Sequence, residues 1–210
     1  MNLITEIDNK ILFFFNNTLR SDVLDLLFVF LSDRKNVWVL IPVLALTIYI
    51  MYKKESKPDY KKLIFVILTA GIAVGLSDLI SSRVIKPLFE RPRPCQVLEG
   101  LYFWRSKAQE WVITDGIRSF KSSFSFVSSH VSNSMAAATV LCIYHKKYCA
   151  VFILTSLLIG LSRMYLGVHY PSDVLFGWIV GCLTALGMLR LFKFVSFKYE
   201  NLKYFRIFFS

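Results

Sequence analysis

The chain has 210 residues, of which 55% are hydrophobic and 16% aromatic, and its formal net charge is +11. The apolar residues form long runs with almost no charge, which argues against a water-soluble helical protein, because each helix of such a protein would have a charged face. The basic residues flank these runs, so the positive charge suits anionic lipid head groups and argues against nucleic acid as a partner.

Residues 1–32 contain apolar runs that charged side chains interrupt. This pattern suits helices that lie in the membrane interface better than it suits a clean span, although an additional span here stays open. The interrupting residues are Glu6, Asp8, Lys10, Arg20, Asp22 and Asp25.

Five later segments are long and apolar enough for transmembrane helices. Their approximate bounds are 37–52, 62–82, 130–145, 148–165 and 173–192. The sequence shows no internal repeat and no linker that would separate a second domain. It therefore predicts one membrane-embedded domain, residues 1–210, with an all-α fold of five to six transmembrane helices.

Lysines predict how this bundle is oriented. They are concentrated in the connector 53–62, in the turn at 146–147 and in the basic tail 193–210, and the positive-inside tendency places these regions in the cytoplasm. The loop 83–129 and the turn 166–172 then share the opposite face. The loop is itself basic, which weakens the rule, but a helical hairpin of 130–145 and 148–165 is enough to put loop and turn on one side.

Three clusters of polar residues converge on that face, and we expect them to form a loop-borne active site. They run from Lys86 to Pro94, from Ser125 to His130 and from Ser162 to Asp173. Ionisable side chains at membrane depth are costly and are usually functional. Cations around two histidines and one carboxylate suit a doubly charged anion, because the planar guanidinium of arginine binds two phosphate oxygens at once.

The two histidines have different expected roles. His169 and Asp173 are four residues apart, so the carboxylate can fix one ring nitrogen of His169 and leave the other free to attack. His130 stands where a helix begins and would protonate the departing oxygen and later activate water. Ser128 adds a hydroxyl, and backbone N–H groups near Ser129 can point at an oxyanion.

Three spaced motifs follow one another along the chain. KxxxxxxRP includes Lys86 and Arg93, the stretch VSSH includes Ser128 and His130, and SRxxxxxHxxxD runs from 162 to 173. From about residue 62 to the end of the last span, the chain thus resembles the type 2 phosphatidic acid phosphatase family of integral membrane lipid phosphatases. The resemblance implies a metal-independent phosphomonoesterase or diphosphatase that acts through a phosphohistidine on His169. The phosphate-binding residues that it implies are Lys86, Arg93, Ser128, Ser129 and Arg163.

The second motif departs from the family pattern PSGH, because Val127 and Ser129 replace its proline and glycine. Without the glycine, the backbone beside the phosphate is more constrained. Ser128 and His130 remain, so we expect the change to affect rate and fine specificity more than activity itself.

The stretches FVSSH and RPRPC look like the bacterial branch of the family that contains lipid A phosphatases. This resemblance implies an enzyme of the bacterial inner membrane, with a periplasmic active site, that removes the 1-phosphate of lipid A. Undecaprenyl diphosphate and phosphatidylglycerol phosphate stay open as substrates. A non-catalytic transport or phospholipid-binding protein also stays open, although a transporter would favour broken helices near mid-membrane and often a repeat.

No metal and no other cofactor is predicted. Zinc hydrolases need closely spaced His, Cys or carboxylate ligands. The chain has three histidines, and one of them, His145, falls on the face opposite the three polar clusters. The cysteines indicate no disulfide framework. Aromatic and basic residues alternate in the loop 83–129, which predicts either a docking surface or lid for a phosphorylated lipid, or a simple membrane-surface belt.

Overall fold

The computed structural model describes residues 3–32, 60–116 and 123–198, together with the single positions Tyr49 and Lys53. The predicted span at 37–52 lies outside these residues apart from Tyr49. The described helices are α1 (Leu3–Phe13), α2 (Asp22–Ser32), α3 (Tyr60–Leu79), α4 (Lys86–Phe89), α5 (Pro94–Val97), α6 (Ser129–Tyr144), α7 (Cys149–Tyr165) and α8 (Pro171–Lys198), and the described strands are β1 (Glu99–Arg105) and β2 (Glu110–Asp115).

Helices α1 and α2 form the start of the chain. Each has 11 residues, about 16 Å of helix, which is too short to cross a bilayer alone. In α1 the exposed apolar side chains recur on one face, as at Ile4, Ile7 and Ile11, whereas Asp8 and Leu12 on the other face are buried. An uncovered apolar face suits the predicted interfacial position of α1, which stays a prediction.

Three helical stretches of the described chain are long and apolar enough to cross a membrane, by length and composition. They are Lys61–Val97, Lys146–Tyr165 and Pro171–Val195, and they confirm helix at the predicted segments 62–82, 148–165 and 173–192.

The first stretch continues beyond its predicted end. α3 runs through a π-helical turn, Ile80–Ile85, into α4, so the first residues of the segment predicted as a loop, 83–129, are helical. The helix ends where Glu90 takes a left-handed backbone conformation with φ 44°, shortly before Pro92. Proline disfavours the α conformation in the residue before it, here Arg91, which agrees with a helix that ends at this point.

Helix α6 lies at the centre of the bundle. It contacts α3, α7 and α8, and Val131, Ala136 and Val140 are completely buried. With 16 residues it is about 24 Å long, less than the ~30 Å of bilayer hydrocarbon. The prediction of a helix at 130–145 is confirmed. As described, however, α6 is shorter than a membrane-spanning helix, and neighbouring helices cover most of its surface.

Two glycines bring α8 close to α6. A Cβ atom at Gly181 would lie 2.2 Å from the carbonyl oxygen of Ser132, and one at Gly177 would lie 3.1 Å from that of Ser128. The two glycines are four residues apart and therefore share one face of α8, as small residues do where helices pack closely. This contact fixes the start of α6 against the start of α8, which carries Asp173.

Strands β1 and β2 form an antiparallel hairpin that the all-α prediction omits. The register pairs Tyr102 with Ile113 and Trp104 with Trp111. Aromatic and β-branched residues favour pleated strands. The same residue types also occur in loops at the membrane surface. The sequence pattern alone therefore does not distinguish a β-hairpin from such a loop.

The hairpin is fixed to the rest of the protein. The completely buried side chain of Asn16 accepts the N–H of Tyr102 at 2.8 Å and donates to the carbonyl oxygens of Tyr102 and Tyr165 at 2.8 and 2.7 Å. The guanidinium of Arg20 lies 4.1 Å from the ring centre of Tyr102 and 3.9 Å from that of Trp111. These contacts favour a fixed docking surface over a lid.

A disulfide joins Cys142 and Cys149 across the turn between α6 and α7. The expectation that the cysteines form no disulfide framework is therefore wrong for this pair. The two residues are brought together because one helix ends and the next begins between them, and the exact helix ends are poorly defined in a sequence. Cys95 and Cys182 are free thiols.

Candidate active site

The start of α8 places Asp173 against His169. Both side chains are buried, with 0% and 1% of their surface exposed, and Nδ1 of His169 lies 3.5 Å from Oδ2 of Asp173. The backbone N–H of Tyr170 donates to the same oxygen at 2.8 Å. The carboxylate therefore lies beside Nδ1 of the imidazole, and the orientation of the ring by Asp173 stays a prediction.

Ser125 joins this pair. Its hydroxyl donates to Oδ2 of Asp173 and lies 3.4 Å from Nδ1 of His169, and it is completely buried. Ser125 is not among the site residues that the motifs predict. Its position three residues before Ser128, within the second cluster, was the available signal.

Arg91 occupies the other oxygen of the carboxylate. Its Nη1 donates to Oδ1 of Asp173 at 2.9 Å and to Oγ of Ser172 at 2.7 Å, and its Nη2 donates to Oδ2 of Asp8 at 2.7 Å. The motifs do not predict this role of Arg91 either. The pair of Arg-Pro dipeptides at 91–94 contained the signal, but the motif uses only the second arginine.

The three predicted phosphate-binding cations lie on different elements and act on His169 together. Burial lowers the pKa of His169 well below its usual range, and the positive charges of Arg93, Arg163 and Lys86 lower it further. The ring is therefore neutral at neutral pH and keeps a lone pair for attack. By contrast, burial raises the pKa of Tyr170 to about 12, so this phenol stays protonated and is no candidate base.

Two of these cations are held by polar groups of the chain. Arg163, in the last turn of α7, has 8% of its surface exposed and donates to the carbonyl oxygen and the hydroxyl of Ser32 at the end of α2. Nε of Arg93 donates to the carbonyl oxygen of Ser123 at 2.8 Å. Such contacts fix the direction of each guanidinium before a ligand arrives, which lowers the cost of binding.

The start of α6 brings the second motif to the same place. Ser128 is the N-cap residue, and its N–H donates to the carbonyl oxygen of Asp173 at 3.1 Å. Its hydroxyl is completely buried and has no hydrogen-bond partner among the residues that the structure describes. An unsatisfied buried hydroxyl is costly, so this group is suited to receive a ligand oxygen.

Ser129 and His130 form the first turn of α6. The hydroxyl of Ser129 accepts a hydrogen bond from the hydroxyl of Ser81 at 3.1 Å, so its side chain is partly engaged with α3's continuation. His130 remains partly exposed at this helix start. Its role as proton donor stays a prediction.

Within residues 3–32, 60–116 and 123–198, no three His, Cys, Asp or Glu side chains meet in an arrangement that could hold a metal ion. The described site instead offers fixed cations, a buried hydroxyl and a helix start around a neutral imidazole. This combination can bind and stabilise a phosphoryl group while a nitrogen attacks it.

Comparison with known proteins gives a family match over most of the chain. The model of the PAP2 superfamily matches residues 59–196, which include all three motifs. Among the relatives, a lipid A 4′-phosphatase of Bacteroides thetaiotaomicron is 29% identical over 180 residues, covering 85% of this chain and 73% of that protein. A lipid A 4′-phosphatase of Porphyromonas gingivalis is 26% identical, covering 92% and 76%. An undecaprenyl-diphosphatase of Sulfolobus acidocaldarius is 28% identical, covering 74% and 64%.

Two solved structures share the fold. The crystal structure of Aquifex aeolicus LpxE superimposes with a TM-score of 0.53 at 25% identity and covers 88% of this chain and 95% of that one. The structure of a transmembrane PAP2 type phosphatidylglycerolphosphate phosphatase from Bacillus subtilis has a TM-score of 0.55 at 21% identity and covers 91% and 87%. The second likeness concerns the fold alone.

Proposed function

Because this chain belongs to the PAP2 superfamily and is a membrane lipid phosphatase, we propose that it removes a phosphate from lipid A. The two relatives named lipid A 4′-phosphatase support this substrate. They favour the 4′-phosphate over the 1-phosphate that the motif wording implies, so we take the 4′-phosphate as the first candidate. The orientation of the site toward the periplasm of a bacterial inner membrane is part of the same proposal.

The proposed reaction has two steps. The lone pair of His169 Nε2 forms a bond to phosphorus while the bond from phosphorus to the lipid oxygen breaks, and His130 gives its proton to that oxygen. Water then attacks phosphorus, His130 takes a proton from the water, and the P–N bond breaks to release inorganic phosphate. Asp173 holds the Nδ1 proton of the ring and stabilises its positive charge while the phosphoryl group is attached.

One observation carries this proposal: His169 is a buried imidazole with Asp173 against one nitrogen and three cationic side chains around it. This environment disfavours a proton on the ring, so His169 is not suited to be the cationic partner in a structural ion pair. It suits a nucleophile that meets a doubly charged phosphoryl group, whose charge Lys86, Arg93 and Arg163 would offset.

Phosphate release from purified protein tests the proposal. Lipid A that carries both phosphates is the substrate, and mass spectrometry with fragmentation identifies the position that is lost. We expect loss of the 4′-phosphate, whereas loss of the 1-phosphate would restore the prediction from the motifs. Lipid A that keeps both phosphates under all conditions would contradict the proposed substrate.

Replacing His169 by alanine tests the nucleophile. His169→Ala should release no phosphate, whereas the control His145→Ala, which changes a histidine at the far end of α6, should keep its activity. Rapid quenching with radiolabelled lipid should leave label on the wild-type protein that is stable in alkali and lost in acid, as expected of a phosphohistidine. Full activity of His169→Ala would show that another group is the nucleophile.

Undecaprenyl diphosphate is the second candidate substrate, because one relative is named undecaprenyl-diphosphatase. The same pocket of cations would accept the terminal phosphate of a polyprenyl diphosphate. Rates on lipid A, undecaprenyl diphosphate and phosphatidylglycerol phosphate, measured side by side at one detergent-to-lipid ratio, rank the three. A higher kcat/KM on either of the other two lipids would make that lipid, and not lipid A, the preferred substrate.

A further inference from the structure

Asp8, on the N-terminal helix α1, reaches the active site from outside the family-matched region 59–196. Its side chain is buried, with 3% of its surface exposed. Its two oxygens accept the N–H of Ser172 at 2.9 Å, the hydroxyl of Ser172 at 2.5 Å and Nη2 of Arg91 at 2.7 Å. These contacts use the carboxylate fully, although the proposed reaction has no chemical task for it.

The contact with Ser172 bears on α8 directly. Ser172 is the second residue of α8, and its N–H is one of the groups at a helix start that have no partner within the helix. A carboxylate there also interacts favourably with the helix dipole. Asp8 thus caps α8 from a neighbouring helix, one residue before Asp173.

The contact with Arg91 bears on Asp173 as well. Arg91 lies between two carboxylates, those of Asp8 and Asp173, and its guanidinium stacks 3.9 Å from the ring centre of Tyr170. A guanidinium between two acids has its planar fork fixed in two directions. If Asp8 is removed, one side of the fork loses its partner, and Arg91 is free to change its angle to Asp173.

We propose that Asp8 is a positioning residue, which holds Arg91 and the start of α8 so that the Asp173 carboxylate keeps His169 in line for attack. This inference rests on the proposed role of His169 as nucleophile. Asp8 touches neither the phosphate nor the reacting nitrogen and acts through Arg91, Ser172 and Asp173. The N-terminal helix is therefore a part of the catalytic apparatus that the family match does not contain.

Asp8→Asn tests this directly, because the amide keeps the size of the side chain but loses its charge. In metal sites, loss of a group that orients a ligating side chain lowers metal affinity or activity about 10- to 100-fold, and we expect a comparable effect here. We expect kcat to fall about tenfold or more while KM changes less than about twofold, because the cations that bind phosphate stay in place. The matched control is Glu6→Gln on the same helix, where the exposed pair of Glu6 and Lys10 has no link to the site, and it should behave as wild type.

The pH profile of kcat/KM separates positioning from simple loss of structure. Only neutral His169 attacks, so the acid limb reports its protonation in the free enzyme. Asp8→Asn removes a negative charge near Arg91. The loss of this charge disfavours a proton on the His169 ring, so the acid limb moves to lower pH. Arg91→Gln removes a positive charge and moves it to higher pH. The charged groups that act on the ring are Lys86, Arg93 and Arg163, with Asp173 beside Nδ1. Arg91 contacts Asp173 and stacks on the adjacent Tyr170, so its charge reaches the ring through these neighbours.

Arg91→Lys keeps the charge but not the planar fork. It should lower kcat while leaving the acid limb near its wild-type position, and it replaces Arg91→Gln as the informative variant if the latter does not fold. Reduced kcat in Asp8→Asn together with opposite limb shifts in Asp8→Asn and Arg91→Gln, or with reduced kcat and an unmoved limb in Arg91→Lys, supports the proposal. Wild-type kcat and pH profile in Asp8→Asn overturn it.

The control His169→Ala distinguishes failure of this inference from failure of the proposed function. If His169→Ala is inactive and Asp8→Asn is wild type, the nucleophile stands and the positioning role of Asp8 is wrong. If His169→Ala keeps full activity, the nucleophile itself is wrong and so is the role that depends on it.

Discussion

His169 determines how the proposed reaction depends on pH. Its pKa is lowered by burial and by three neighbouring cations, so the acid limb of kcat/KM should lie below pH ~6.5, the usual value for histidine. The sign for stability follows from the same shift. The unfolded chain takes up a proton on this ring before the folded protein does, so the resulting destabilisation is absent above pH ~6.5 and grows as the pH falls toward the lowered value.

Lys86→Met should move the acid limb to higher pH. The substitution removes one of the charges that oppose a proton on His169, so the pKa of the ring rises and the neutral form is lost at a higher pH. Steady-state kcat/KM between pH 4 and 8 measures the shift. Lys62→Met, at the other end of the same helical stretch, is the control; if both variants keep the wild-type limb, the charge of Lys86 does not influence His169.

The site residues that the sequence predicts share one property: they stand at fixed spacings within three short motifs. His169 and Asp173 are predictable because four residues separate them across the start of a helix. Arg91 and Asp8 are not, because they are 83 residues apart in the sequence and meet only in the folded chain, where both contact Ser172. Ser125 was missed for the same reason, since its partner Asp173 is 48 residues away.

At the scale of elements, the close contact of α6 and α8 gives a stability prediction. Gly181→Ala would place a Cβ 2.2 Å from the Ser132 carbonyl oxygen, so the two helices must separate, at a cost of about 1–3 kcal/mol. We expect a lower thermal stability in detergent and a lower kcat, because Ser128 and Asp173 move apart.

Gly187→Ala is the matched control for Gly181→Ala. A Cβ at Gly187 meets no atom within 4 Å, and alanine is favoured over glycine inside a helix by about 1 kcal/mol. This variant should therefore be as stable as wild type or slightly more stable. Equal melting temperatures for the two variants would show that the helices do not approach closely at Gly181.

Asn16 gives a second prediction for an element, the β-hairpin. Asn16→Ala removes one buried hydrogen bond to Tyr165 and two partly buried ones to Tyr102, all to backbone groups. Each buried group left unsatisfied costs about 1–3 kcal/mol. Thermal unfolding of the solubilised protein should show a loss of more than about 3 kcal/mol. Asn17→Ala, which removes one exposed bond to Gly100, should cost less than about 1 kcal/mol; a hairpin that tolerates both changes equally is not anchored by Asn16.

Helices were predictable from sequence where lipid surrounds them, because long apolar runs have no other common explanation. The spans at 62–82 and 173–192 belong to this class. The hairpin was not predictable with the same rules, because its strands at 99–105 and 110–115 are short and rich in aromatic residues that also occur at membrane surfaces. For α6 the rules gave the helix but not its surroundings, since a buried helix and a lipid-facing helix have similar composition.

For the whole molecule, two features predict opposite orientations. The lysine pattern places the turn between α6 and α7 in the cytoplasm, whereas its disulfide between Cys142 and Cys149 suits an oxidising compartment. In a cell with a reducing cytosol, either the lysine pattern assigns the wrong face to the cytoplasm or the disulfide is not formed. We expect the active-site face to be periplasmic and the cysteine pair to be reduced in the cell.

Labelling of intact cells with a membrane-impermeant maleimide measures this orientation. Single cysteines introduced at the exposed positions Glu110 and Lys147, in a variant without native cysteines, lie near the opposite ends of the bundle. Label at 110 and not at 147 supports the prediction. The reverse pattern would invert the topology and make the disulfide the better guide.

The first 32 residues have a consequence for how this fold can be cut or exchanged. Asp8 binds Arg91, Asn16 holds the hairpin and Ser32 accepts from Arg163, yet all three precede the family-matched region. The region that the family model matches is thus smaller than the part of the chain whose side chains hold the site. A graft or chimera joined at residue 59 would inherit the reacting groups and leave behind the side chains that brace them.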